Sequence, residues 1–150
     1  MTVLVGLLDS GIGTAFGDAL MAEKTFRLDQ SGSAVAVNPD GGSSSHGALL
    51  AEIILEAGDG IQILSADVFS GEHATSAAVA AAGLDWLVQR GARLINMSFG
   101  LTSDRPVLAA ACRNVEIGGA VLIGAAPAQG GQVYPAAYEQ VIAVTGDARC

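Results

Sequence analysis

Asp9 closes an apolar run, Leu7-Leu8-Asp9-Ser10-Gly11, and His46 opens a second patterned stretch, His46-Gly47-Ala48-Leu49-Leu50-Ala51. A carboxylate held at a strand end and an imidazole at a helix start form an acid that orients a general base. Such a pair needs a nucleophile as its third member before it does covalent chemistry. Taken alone, each residue has an ordinary explanation: an Asp after a strand is commonly a turn residue, and a lone His at a helix start is commonly a solvated cap. Only together do they point to catalysis.

The elements that must position them alternate along the chain. Val3–Leu8 reads as a buried strand and Ala34–Val37 as a second, closed by the turn signal Asn38-Pro39-Asp40-Gly41-Gly42. Ser43, Ser44 and Ser45 are N-cap candidates for a helix over 46–57, with Leu49, Leu50, Ile53 and Ile54 on one face. Ile61–Val68 reads as a strand, and Ala74–Arg90 as a long, Ala-rich helix stopped by Gly91. Arg93–Phe99, Ala120–Gly124 and Val141–Thr145 read as strands, with a helix over Pro106–Ile117. Strands alternating with helices of this length predict an α/β domain: a doubly wound, mostly parallel sheet in three layers, with helices on both faces. Ligands of such sheets bind beyond the carboxyl ends of the strands. That rim holds Asp9-Ser10-Gly11, Ser98-Phe99-Gly100 and Gly124–Gly131, with His46 able to overhang it.

These stretches in this order resemble the subtilisin-like serine proteases. Asp9-Ser10-Gly11 after a strand, His46-Gly47 with Ala51 opening a helix, and Ile95-Asn96-Met97-Ser98-Phe99-Gly100 carry the likeness. Ala82–Val88 with Arg90-Gly91-Ala92, Val121–Ala126, and Tyr134-Pro135-Ala136-Ala137-Tyr138 before Val141–Val144 extend it over nearly the whole chain. The resemblance implies that Asp9 is the acid holding the histidine's tautomer, and that His46 takes the nucleophile's proton and returns it to the leaving amine. The electrostatics of a helix start disfavour a charged His46, which a nearby Asp9 carboxylate offsets. It also implies that Ser98-Phe99-Gly100 pair their backbone with an extended peptide or protein substrate.

Two departures stand out. The family's nucleophilic serine lies in a Gly-Thr-Ser-x-Ala motif downstream of the Tyr-Pro turn, and these 150 residues contain no such motif. Ser10, Ser98 and Ser43–Ser45 lack its context, and Cys150 could not replace it without rearrangement. In addition, Pro127-Ala128 stands where the family usually has Gly-Asn, whose Asn donates to the oxyanion, so Ala128 lacks that donor; Gln129 is a candidate substitute. Ala48 and Glu52 replace a common Thr and Gly on the histidine helix.

Composition bounds the rest. The chain has 150 residues, 7 basic and 15 acidic, for a net charge of −8, with 51% hydrophobic residues. That excludes disorder, and the acidic balance argues against nucleic acid. The longest uncharged stretch, Ile117–Tyr138, carries Gly, Pro and Gln that a membrane span would not tolerate. The two cysteines, Cys112 and Cys150, show neither disulfide-framework nor metal-ligand spacing. The expectation is a soluble cytoplasmic protein with no metal and no cofactor; oligomeric state is not legible. Residues 1–150 are expected to be one catalytic domain in its N-terminal portion, with a sheet face left exposed where the remainder packs. A leader-removing, peptide-processing protease is the expected activity. The alternative is a catalytically dead, peptide-binding relative. A nucleotide site is a third reading, since Gly11, Gly13 and Gly17 follow a strand, but Phe16 occupies the place that G-x-G-x-x-G gives to its last glycine.

Overall fold

The N-terminal apolar run forms strand β1 (Val3–Asp9), apolar up to Asp9 because from Val5 onward both of its faces are covered. In the computed structural model, which describes residues 1–39, 45–71 and 74–146, β1 lies at the centre of one sheet. The other strands are β2 (Leu20–Leu28), β3 (Ala34–Val37), β4 (Ile61–Asp67), β5 (Leu94–Met97), β6 (Val121–Ala125) and β7 (Val141–Val144). The helices are α1 (Ser45–Glu56), α2 (Ala77–Gln89) and α3 (Pro106–Ile117). The strand order is β3-β2-β4-β1-β5-β6-β7. All neighbours are parallel except β2 and β3, an antiparallel pair at one edge. The α/β architecture read from the sequence is the one observed.

Alternate residues of the strands enter separate layers. Leu8, Leu64, Ala66, Ile95, Met97 and Leu122 pack under α2 and α3 with Leu84, Leu87, Leu108 and Val115. On the opposite face Leu7 and Ile63 pack with Ile12 and with Ala51 of α1. Gly83 lets α2 settle onto the sheet: a Cβ there would stand 2.5 Å from Leu8 Cδ1 and 2.8 Å from Val68 Cγ1. Gly91, with φ of 93°, ends α2 as expected.

Three sequence readings need correction. Strand β2 was not anticipated, because Glu23, Lys24 and Arg27 break its apolar pattern and only Thr25 and Phe26 are fully buried. Helix α1 does not bury Leu49 and Ile53, which are each 55% exposed. Its small residues Gly47 and Ala51 are the buried ones, flanked by half-buried Leu50, Ile54 and Leu55, so the helix approaches the sheet closely and its bulky stripe turns outward. Helix α2 starts at Ala77, three residues later than expected, because Ala74 bridges back to Ser70 and the Ser76 hydroxyl caps Val79 N at 3.2 Å. The proposed caps Ser43 and Ser44, most of the turn before them, and Cys150 lie outside the described residues, as does the side chain of Ser45.

Helix α1 packs against β1 and β4. Further along that face, Val121 is 43%, Ile142 54% and Val144 49% exposed. Ile142 sits beside Ile123, and Val144 beside Ala125, so the exposed apolar residues share one side of β6 and β7.

Candidate active site

Asp9 is the last residue of the central strand and is fully buried. Its carbonyl accepts from Val68 N at 2.9 Å, which fixes the backbone where the chain leaves the sheet. Its Oδ1 accepts three bonds: from Ser10 N at 2.7 Å, from Ser10 Oγ at 3.1 Å and from His46 Nδ1 at 2.8 Å. Oδ2 is buried and makes no hydrogen bond among the described residues. With a carboxylate as acceptor, Nδ1 of the neutral ring carries the hydrogen and Nε2 becomes the basic atom. The His46 side chain is 45% exposed, so one end of the pair is dry and the other faces solvent.

The first turn of α1 is tied to the same strand end. Gly47 N donates to Ser10 Oγ at 3.0 Å, while that hydroxyl donates to Asp9. Ser10 therefore links the residue after the histidine to the carboxylate. The sequence places Ser10 on this rim and argues against it as the nucleophile but does not show its link to Gly47; the Asp-Ser step is the signal, since a hydroxyl next to a buried carboxylate bonds locally.

His46 shares a cleft of about 470 Å³ with Phe69, Thr75 and the segment Ser98–Leu101. Sequence-selected Asp9, His46, Ser98, Phe99 and Gly100 are thus brought to one region. Ser98 Oγ accepts from Asn96 Nδ2 at 2.7 Å. Phe99 meets Phe69 edge to face, with centroids 6.2 Å apart and planes at 89°. Leu101 and Tyr134 exchange backbone bonds of 2.7 and 2.8 Å, which seats the cis Tyr134-Pro135 turn beside this segment. Phe69 and Thr75 were missed. Phe69 was legible as a residue just beyond a strand's carboxyl end, whereas Thr75 was hidden inside an overextended helix assignment.

Ala128 and Gln129 lie exposed in the loop after β6, and neither belongs to the wall of the His46 cleft. A separate hollow of about 250 Å³ forms beside them between Ala126-Pro127 and Gly130–Val133. Cys112, on the buried face of α3, is fully buried, and that burial pushes its thiol up to about 12, far from a reactive thiolate. Among the described residues, no three His, Cys, Asp or Glu side chains cluster as metal ligands, and no helix is long and apolar enough to cross a membrane.

Comparison with known proteins agrees with this geometry. The model of the Subtilase family, Peptidase_S8, matches residues 1–148. A thermostable alkaline protease from Halalkalibacterium halodurans is 33% identical over 113 residues, covering 68% of this chain and 31% of that protein. Among solved structures, the S41 psychrophilic protease superposes with a TM-score of 0.73 at 20% identity, over 94% of this chain and 52% of its own. The prenylagaramide maturation protease PagA gives 0.71 at 21% identity, over 94% and 52%. The epidermin leader peptide processing serine protease EpiP from Staphylococcus aureus gives 0.73 at 14% identity, over 95% and 46%. The chain spans about a third of the alkaline protease and about half of each of these solved structures.

Proposed function

Because the chain belongs to the subtilase family, we propose that it is the Asp- and His-bearing part of a serine endopeptidase. In this reading Asp9 fixes the tautomer of His46 and stabilises the imidazolium that forms during attack. His46 takes the nucleophile's proton at Nε2 and returns it to the leaving amine. Ser98, Phe99 and Gly100 pair with an extended peptide. The observation that carries the proposal is the 2.8 Å bond from His46 to a fully buried Asp9, at the edge of a cleft that also holds Ser98–Gly100.

The nucleophilic serine comes, in this proposal, from further polypeptide of the same catalytic domain. Two observations support that: the chain spans about half of the solved structures it matches, and Val121, Ile142 and Val144 present apolar surface on the α1 side of the sheet. For substrate class we propose a peptide precursor cut at one site. The prenylagaramide maturation protease PagA and the epidermin leader peptide processing protease EpiP share the fold. Precursor peptides against casein as substrates test that part, and general casein digestion counts against it.

One feature of the sequence favours a second reading, a peptide-binding protein without hydrolysis: the resemblance aligns Ala128, which has no side-chain donor, with the family's oxyanion Asn. Labelling by a serine-directed fluorophosphonate separates the two. The longer natural protein containing this sequence should be labelled and should lose the label in His46→Ala, while the 150-residue chain alone stays unlabelled. An unlabelled longer protein would favour the binding reading. A labelled fragment would show that the nucleophile lies within these residues after all.

A further inference from the structure

Glu23 lies on β2, outside every motif that singled out the active site, yet its carboxylate reaches the turn that follows Asp9. Glu23 Oε2 accepts from Ile12 N at 2.7 Å. The sheet order is β2-β4-β1 and Glu23 lies in register with Ser65 of β4, so its side chain meets a loop that leaves the sheet two strands away. Gly11 lies alongside the carboxylate: a Cβ there would be in ordinary contact with the two Glu23 oxygens, at 3.4 and 3.5 Å. Ile12 has left the strand ladder, so its N–H needs an acceptor from elsewhere, and an ionised carboxylate is a strong one.

The held residue matters because of what its side chain touches. Ile12 is 1% exposed and packs with Leu7, Ile63 and Ala51. Ala51 belongs to α1, the helix whose first turn carries His46 and whose Gly47 N is bonded to Ser10. The turn 10–12 therefore meets α1 at two points, Ser10 against Gly47 and Ile12 against Ala51. Glu23 anchors the second of these through the Ile12 backbone.

We propose that Glu23 is a positioning residue for the Asp9–His46 pair, acting through the Ile12 amide to hold the turn against α1. The proposal rests on the catalytic reading of that pair, but its test does not require hydrolysis. Imidazole 15N shifts, recorded above the titration of the rings and assigned with a His73→Gln chain, report the tautomer of His46. In Glu23→Ala the ratio of Nδ1–H to Nε2–H tautomer should fall about tenfold, because the bond to Asp9 no longer selects one form. Glu23→Gln, whose amide oxygen still accepts from Ile12 N, should keep the parent ratio. Asp29→Ala, which loosens the β2–β3 turn by removing its bonds to Ser31 and Ser33, should lower the melting temperature and leave the ratio alone.

An unchanged ratio in Glu23→Ala overturns the proposal, as does an equal change in Asp29→Ala or a failure of Glu23→Gln to restore it. If Glu23→Ala does not fold, Glu23→Asp, one methylene too short, takes its place. If neither folds, Glu23 serves the fold as a whole and the positioning role is rejected. A shifted tautomer in a chain whose longer form never reacts with fluorophosphonate would reject the protease reading and keep this one.

Discussion

Gly47 lies flush against Ser10: its N–H donates to the Ser10 hydroxyl at 3.0 Å, and a Cβ at position 47 would run into the Ser10 carbonyl. The same Cβ would stand 2.9 Å from Ser10 Oγ. The obstacle is mostly backbone, which cannot rotate away, so α1 would have to lift from the strand end. Gly47→Ala is expected to cost about 1–3 kcal/mol, as overpacking does, despite alanine's better helix propensity. Urea denaturation measures the cost, and a stability equal to the parent's would show that α1 slides freely.

Ser10→Ala tests the other half of that contact. The substitution leaves Gly47 N, which is buried, without its acceptor and removes one donor from Asp9. A loss of about 1–3 kcal/mol is expected, the cost of an unsatisfied buried polar group. Ser10→Thr retains the hydroxyl and should recover most of the loss in the same denaturation experiment.

Gly83 makes a comparable approach between α2 and the sheet, against Leu8, Val68 and Ala66. Leu8 can shift its tip, but Val68 is branched at Cβ and has little freedom. Gly83→Val should therefore destabilise the fold by roughly 3 kcal/mol or more. Gly83→Ala should lie between, partly offset by about 1 kcal/mol of helix propensity. Thermal melts of the two variants should fall in that order.

The strand that ends in Asp9 was legible because its middle is buried on both faces and reads as an apolar run, and the strand before Ser98 was legible despite Asn96 because it follows the helix stop at Gly91. Glu23 was not, since β2 shows charges toward the sheet end and its one site-related bond runs to a backbone N–H, which no side-chain pattern records. Leu49 and Ile53 misled for a related reason: periodicity fixes which residues share a face, but not which face a helix turns to the sheet. Here two small residues, Gly47 and Ala51, decide that orientation by allowing close approach. The pairing of Asp9 with His46 followed from motif order alone, whereas its support by Ser10, Gly47 and Ile12 needed three dimensions.

If the proposed endopeptidase reading holds, Ala128 bears on its rate. Removing an oxyanion donor from a subtilisin lowers kcat by about 10²–10³, so restoring one by Ala128→Asn should raise kcat at least about tenfold with little change in KM. Should Gln129 already supply a donor once the domain is complete, Ala128→Asn will do nothing and Gln129→Ala will lower kcat instead. Steady-state kinetics of both variants on one peptide decide between them.

Cys112 gives a prediction with a defined pH window. It is fully buried between α3 and the sheet, and desolvation raises its thiol from the ordinary 9.0 to about 12, outweighing the nearby Arg113 charge. The folded state therefore keeps its proton where the unfolded chain would lose it. That contribution to stability is complete below about pH 9 and is lost as pH climbs toward about 12. In a Cys150→Ser chain, which leaves one thiol, native protein at pH 8 should not react with DTNB, and one equivalent should react in urea. Adding Cys112→Ala should flatten the fall in melting temperature between pH 9 and 11. Tyr138, whose hydroxyl is also pushed up to about 12, chiefly by burial and then by its bond to Asp104, feels the Cys112 charge as well, so the flattening includes its share. Rapid reaction of the native thiol would mean that α3 opens from the sheet far more readily than its packing implies.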